Sequence, residues 1–283
     1  MKVKEELLDR KDHGMDVHTL ITGSSEKITL AVGEKAKPIS CHKALLGFFS
    51  KFFESALYGS FAEASQTEMR LPEDDPELMS EFVAWLYSGQ SPSQIDLEEE
   101  EYCEQEPEPA ADCILVREDI EREMRMLSLW ILADKLGSPR LANNTMRCIL
   151  HMYQESFSTS FEAELVFNNT APGSKLRLLF RDIIAADGPL LLGRRGSGKE
   201  HQDKSESERW LLLLAKGGDL VKDCVMTGFT TPIKDYEEQP FCTHNRGKYI
   251  EKIESKPSAK DWLKQKHPPE VADEPWTEIT TKK

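Results

Sequence analysis

The chain has 283 residues, 39% of them hydrophobic and 30% charged, with a formal net charge of −14. That length holds one large or two modest domains with a buried core. The acidity excludes a general nucleic-acid surface, because phosphate binding needs a basic field.

Much of the negative charge is local: "IDLEEEEYCEQEPEPAAD", residues 95–112, carries nine acids and no base. The six cysteines form no C-x-x-C pair and no dense framework. The start, "MKVKEELLDRKDHG", lacks the apolar core of a signal peptide, and no apolar run approaches the ~18 residues of a membrane span. The expectation is an intracellular protein with reduced thiols, in cytoplasm or nucleus.

In chain order, residues 1–14 read as a tail, and "DVHTLI" (16–21) reads as a short strand. Gly23-Ser24-Ser25 signals a turn. "KITLAV" follows as a second strand, with Ile28, Leu30 and Val32 alternating against polar or small residues. "KPISC" reads as a third, at an edge because of Pro38.

From His42 the period becomes helical through Leu45, Phe48, Phe49, Phe52 and Ala56, with Ser50 placed to cap a second helix. "TEMRL" returns to strand alternation. Asp75 as cap, Pro76 in the first turn and Glu77 then open a helix whose apolar stripe is Leu78, Phe82, Trp85 and Leu86. Gly89 stops it.

Residues 91–117 form an acidic insertion with too little apolar content to pack. Two helices are expected after it, at about 118–136 and 139–153, divided by Gly137-Ser138-Pro139. The second presents Ala142, Thr145, Met146, Ile149, Leu150 and Tyr153 on one side.

Further on, Leu176, Leu179, Phe180, Ile183 and Ile184 give one amphipathic face after Ser174. A Ser205-x-x-Glu208 capping box starts another helix through "WLLLLA". Beyond residue 250 the sequence turns Lys-, Pro- and Glu-rich and is expected to fray.

Taken together, "DVHTLI", "ISCHKALLGFFSKFFESAL", "GSFAEASQTEMRLPEDDPELMSEFVAWLYSG" and "LWILADKLGSPRLANNTM" resemble the BTB/POZ domain, in the form common among filamentous-fungal proteins. The resemblance covers about residues 15–153. It implies an α/β (α+β) BTB/POZ fold, a short-stranded sheet flanked by helices. An all-helical extension would follow over 154–250, with a flexible linker at 188–206 and a disordered tail at 251–283.

The resemblance gives Asp16, His42, Ala44 and Leu45 structural roles. Asp16 matches the family's acid at the start of the first strand. His42 would be a buried or half-buried histidine with a hydrogen-bond partner, and Ala44 and Leu45 would be core. It further implies a protein-interaction adaptor, dimeric, with a cullin scaffold as a possible partner. In cullin-binding members an apolar-x-Glu triplet follows the second helix, and here Phe61-Ala62-Glu63 occupies that place. A regulator of transcription acting through partners is the alternative.

"GRRGSGKE" has P-loop spacing from Gly193 to Lys199, but three requirements fail. Glu200 stands where magnesium needs a hydroxyl. No convincing strand precedes the loop, and no apolar residue follows before Trp210 to dock a helix. The match is read as a decoy. Cys242 and His244 form a lone close pair without the second pair a zinc site needs. No catalytic constellation, cofactor or metal is expected.

Overall fold

The computed structural model describes residues 2–59, 66–93, 112–153, 158–187, 204–227, 239–242 and 244–267. At its N-terminal half lies a three-stranded sheet in the order β2-β1-β3, formed by β1 (Lys27–Val32), β2 (Lys37–His42) and β3 (Glu68–Leu71). β1 pairs antiparallel with β2, setting Ile28 opposite Cys41 and Leu30 opposite Ile39. It pairs parallel with β3, Leu30 opposite Met69. Ile28, Leu30 and Val32 are buried, so the alternation seen in "KITLAV" is the core face of the central strand. Pro38 lies in β2, an edge strand of this sheet, where a missing N–H is tolerated.

The expected first strand is helix instead. α1 runs Lys2–Gly23 and takes in both "DVHTLI" and most of the expected tail. The reason lies in its buried positions, His13, Val17 and Leu20, which recur at helical spacing. Six residues were too few to separate that period from strand alternation. The His13 ring stacks on Phe49 at 4.6 Å, and its Nε2 makes a 3.1 Å hydrogen bond with the Leu86 carbonyl. Asp16 therefore does not begin a strand. It sits on α1 and pairs with Arg140 at 2.8 Å, across 124 residues of chain.

α2 (Lys43–Phe49) and α3 (Lys51–Tyr58) are separated by the extended Ser50. The Ser50 hydroxyl accepts from the Phe53 N–H at 3.2 Å and donates to the Leu136 carbonyl at 2.6 Å. One buried side chain thus caps α3 and fastens it to the helix that ends beside it. α4 (Pro76–Ser88) forms as expected. Asp75 Oδ1 accepts from the N–H groups of Glu77 and Leu78, and Gly89 closes the helix at φ 76°.

α5 (Asp112–Lys135) begins earlier than expected, within the acidic insertion. α6 (Pro139–Met152) buries the face assigned to it, Ala142 through Tyr153. α5 packs on α4 and on α6, so these helices continue the core that the sheet begins.

The extension is helical. α7 (Ser160–Asn169), α8 (Lys175–Asp187), α9 (Lys204–Ala215) and α10 (Asp219–Thr227) lead to a short 3₁₀ helix, Arg246–Tyr249. α8 buries Leu176, Leu179, Phe180, Ile183 and Ile184, the expected stripe. α9 starts at Lys204, one residue ahead of the expected Ser205 cap. A capping box appears where none was expected, Thr159 with Glu162 at the head of α7.

The C-terminal region departs from the expected fraying as well. Residues 251–258 carry no regular secondary structure, and α11 (Ala259–Lys266) packs against α1 and α2. Much of the expected linker at 188–206 lies outside the described residues.

Candidate protein-interaction surface

Ala44 and Leu45 are fully buried, as core residues should be. His42 is half-buried and has its hydrogen-bond partner in Tyr87. The Tyr87 hydroxyl lies 2.8 Å from His42 Nδ1 and accepts from the His42 backbone N–H at 3.2 Å. Burial, with Lys27 nearby, lowers the His42 pKa. The same desolvation pushes the neighbouring Cys41 thiol up to about 12, and Tyr87 likewise to about 12. A thiol so strongly protonated at neutral pH is no nucleophile. This trio is a strut between β2 and the end of α4.

Phe61 and Glu63 lie outside the described residues, as do Gly193 to Lys199. The described chain leads into the triplet through α3, which ends at Tyr58. Cys242 is buried, whereas His244 is exposed. Among the described residues no group of three or more His, Cys, Asp or Glu side chains suits a metal ion. Among them, too, no helix is long and apolar enough to cross a membrane.

Sequence reasoning missed what covers α2 and α3. From the 3₁₀ helix the chain returns across the N-terminal half as a strap. Tyr249 donates to Asp182 at 2.9 Å, holding the strap's start to α8. Asn143 on α6 then bonds the main chain of Glu251 in both directions, donating to its carbonyl at 2.9 Å and accepting from its N–H at 2.7 Å. Lys51 meets Glu254 at 3.2 Å, and Lys256 donates to the Phe48 carbonyl at 2.9 Å.

The strap ends in α11, capped by Ser258 accepting from the Asp261 N–H. Trp262 sets its ring edge-on between Phe48 (5.8 Å) and Tyr58 (5.0 Å). Its indole N–H donates to Glu54 at 3.0 Å, and Lys266 reaches the same carboxylate at 3.0 Å. Burial pushes the Glu54 pKa up, but the bonds from Lys266 and Trp262 outweigh it and hold the carboxyl below its usual range.

Gly47 makes this seat possible. A Cβ there would lie 2.6 Å from the Tyr58 ring and 3.1 Å from the Trp262 ring. The legible signal was the Trp262–Lys266 spacing, one helical turn apart and capped by Ser258.

The sheet, the α2–α3 pair and α4 are the parts matched by a family model, that of the BTB/POZ domain, over residues 23–103. Residues 23–103 form a BTB/POZ domain. No curated protein matches the chain. The match begins at residue 23, after Asp16 and "DVHTLI". That match favours a protein-interaction role for residues 23–103. α1 and the strap with α11 are additions that lie against it.

Proposed function

We propose that the chain is a non-enzymatic adaptor whose BTB/POZ domain, extended by α5 and α6 to about residue 153, joins protein partners and pairs with a second copy. The match over residues 23–103 carries this reading.

Within that role, the chain serves as a substrate adaptor for a cullin-RING ubiquitin ligase. The support is the position of Phe61-Ala62-Glu63, directly after the second helix of the BTB/POZ helix pair. An aromatic anchor beside a carboxylate suits a partner groove rimmed by basic groups. Capture on an immobilised cullin N-terminal domain tests it. Wild type is expected to bind, and Phe61→Ala/Glu63→Ala to lose at least ~10-fold in affinity, as loss of an interface anchor does. Equal capture of both chains, or of neither, rules out the cullin assignment.

A further inference from the structure

The α11 seat is built by residues that belong to α1, α2 and α3, and it is specific. Gly47 leaves room for an indole ring, Phe48 and Tyr58 flank that ring, and Gly23 at the end of α1 lies against Leu263. Glu54 reads two features of the incoming helix at once, the indole N–H and an ammonium one turn further on. Each contact needs a particular side chain on the ligand helix, namely tryptophan, leucine and lysine.

The tether holding α11 is much less specific. Among the described residues, no backbone–backbone hydrogen bond ties 252–257 to the rest of the chain, and the side-chain anchors of this stretch are Lys256 on the Phe48 carbonyl and Glu254 on Lys51. The Lys51–Glu254 pair is 58% and 81% exposed, and such pairs contribute little. α11 is eight residues long and buries only Ala259, Trp262 and Leu263. A short helix on an exposed tether belongs to the part of a structure that opens at low cost.

We propose that the groove between α1, α2 and α3 is a docking site for a partner protein's helix bearing tryptophan and, four residues later, lysine, and that α11 fills it until displaced. The ligand's chemistry is that of the seated segment: a basic amphipathic helix whose indole enters beside Gly47 and whose lysine one turn further on meets Glu54. The tether gives α11 an effective concentration of order millimolar, so a partner must bind more tightly or loosen the strap. The variants used here leave Phe61 and Glu63 unchanged, so a failure of this site and a failure of the cullin assignment are read by different experiments.

The test uses a fluorescein-labelled peptide of residues 256–267, KPSAKDWLKQKH, and fluorescence anisotropy on the full chain. The Trp262→Ala/Leu263→Ala chain, its groove vacated, is expected to bind the peptide at least ~10-fold tighter than wild type. Adding Glu54→Arg should abolish that gain. Vacated and wild-type chains binding alike, or binding unaffected by Glu54→Arg, would overturn the proposal.

Should the vacated chain not fold, a protease site placed after Glu254 in the otherwise wild-type chain replaces it. Cleavage should then allow the labelled peptide to exchange in, and its failure to do so counts against the site equally. A wild-type dimer that Trp262→Ala dissociates would also overturn the partner assignment, in favour of α11 exchanged between copies.

Discussion

Replacing Arg177 with methionine is expected to destabilise the fold in urea unfolding by about 1–3 kcal/mol for each carbonyl it leaves buried without a donor. Arg177 is 4% exposed, although it lies on α8 among residues that read as an ordinary amphipathic helix. Its guanidinium closes the end of α7. One nitrogen donates to the carbonyls of Phe167 (2.7 Å) and Thr170, another meets Asp219 on α10 at 2.8 Å, and Nε reaches the Thr170 hydroxyl at 3.3 Å. The guanidinium carbon also sits 5.1 Å from the Phe167 ring centre.

A helix C-terminus carries unpaired carbonyls and partial negative charge, so a buried cation there satisfies both. Methionine fills comparable space yet leaves those carbonyls buried without donors. Arg177→Lys restores the charge and loses the planar fork, so it should recover only part of the loss. A cost under about 1 kcal/mol for Arg177→Met would show that other donors replace the guanidinium.

The second large effect is on pH dependence, through Glu162. This residue is fully buried in the α7 capping box, where its Oε2 accepts from the Thr159 backbone N–H at 2.6 Å and from the Thr159 hydroxyl at 2.9 Å. Burial raises its pKa, and Glu123 on α5 adds to the rise by repelling a second negative charge. A carboxyl whose folded pKa lies above its unfolded value stabilises most below the unfolded pKa of about 4.3. That contribution is lost as pH rises towards the folded pKa, by up to about 1.4 kcal/mol per pH unit.

His13 acts in the opposite sense. Burial lowers its pKa, so its contribution is lost as pH falls below about 6.5. Thermal melts of Glu162→Gln should isolate the acid, because glutamine also serves at the third position of a capping box. The variant is expected to lose the alkaline slope and to exceed wild type at pH 8 by about 1–3 kcal/mol. Parallel wild-type and Glu162→Gln curves from pH 5 to 8 would show that Glu162 ionises freely in the fold.

The BTB/POZ domain was legible because its signals are local. Ile28, Leu30 and Val32 alternate, Asp75-Pro76 and Gly89 bracket α4, and the apolar stripes of α6 and α8 repeat at helical period. α1 was not legible. Its partners, Phe49 and Leu86, lie far along the chain, and without them "DVHTLI" alternates well enough to pass for a strand. Asp16 was misplaced for the same reason, since Arg140 lies 124 residues away.

α11 was hidden by composition. Lys260, Lys264 and Lys266 make the segment look unpacked, yet Glu54 takes one of these charges and Trp262 is buried at 3% exposure. An isolated tryptophan in a charged tail was the available clue. Its meaning depended on Gly47, whose missing side chain carries no message until Tyr58 and Trp262 are placed around it.

The central claim is that the BTB/POZ domain joins this chain to other proteins, beginning with a second copy of itself. Light scattering coupled to size exclusion tests it most directly. At tens of micromolar the account predicts a particle of twice the 32.2 kDa chain mass, and one that persists in Trp262→Ala. A particle of a single chain's mass at that concentration would contradict it.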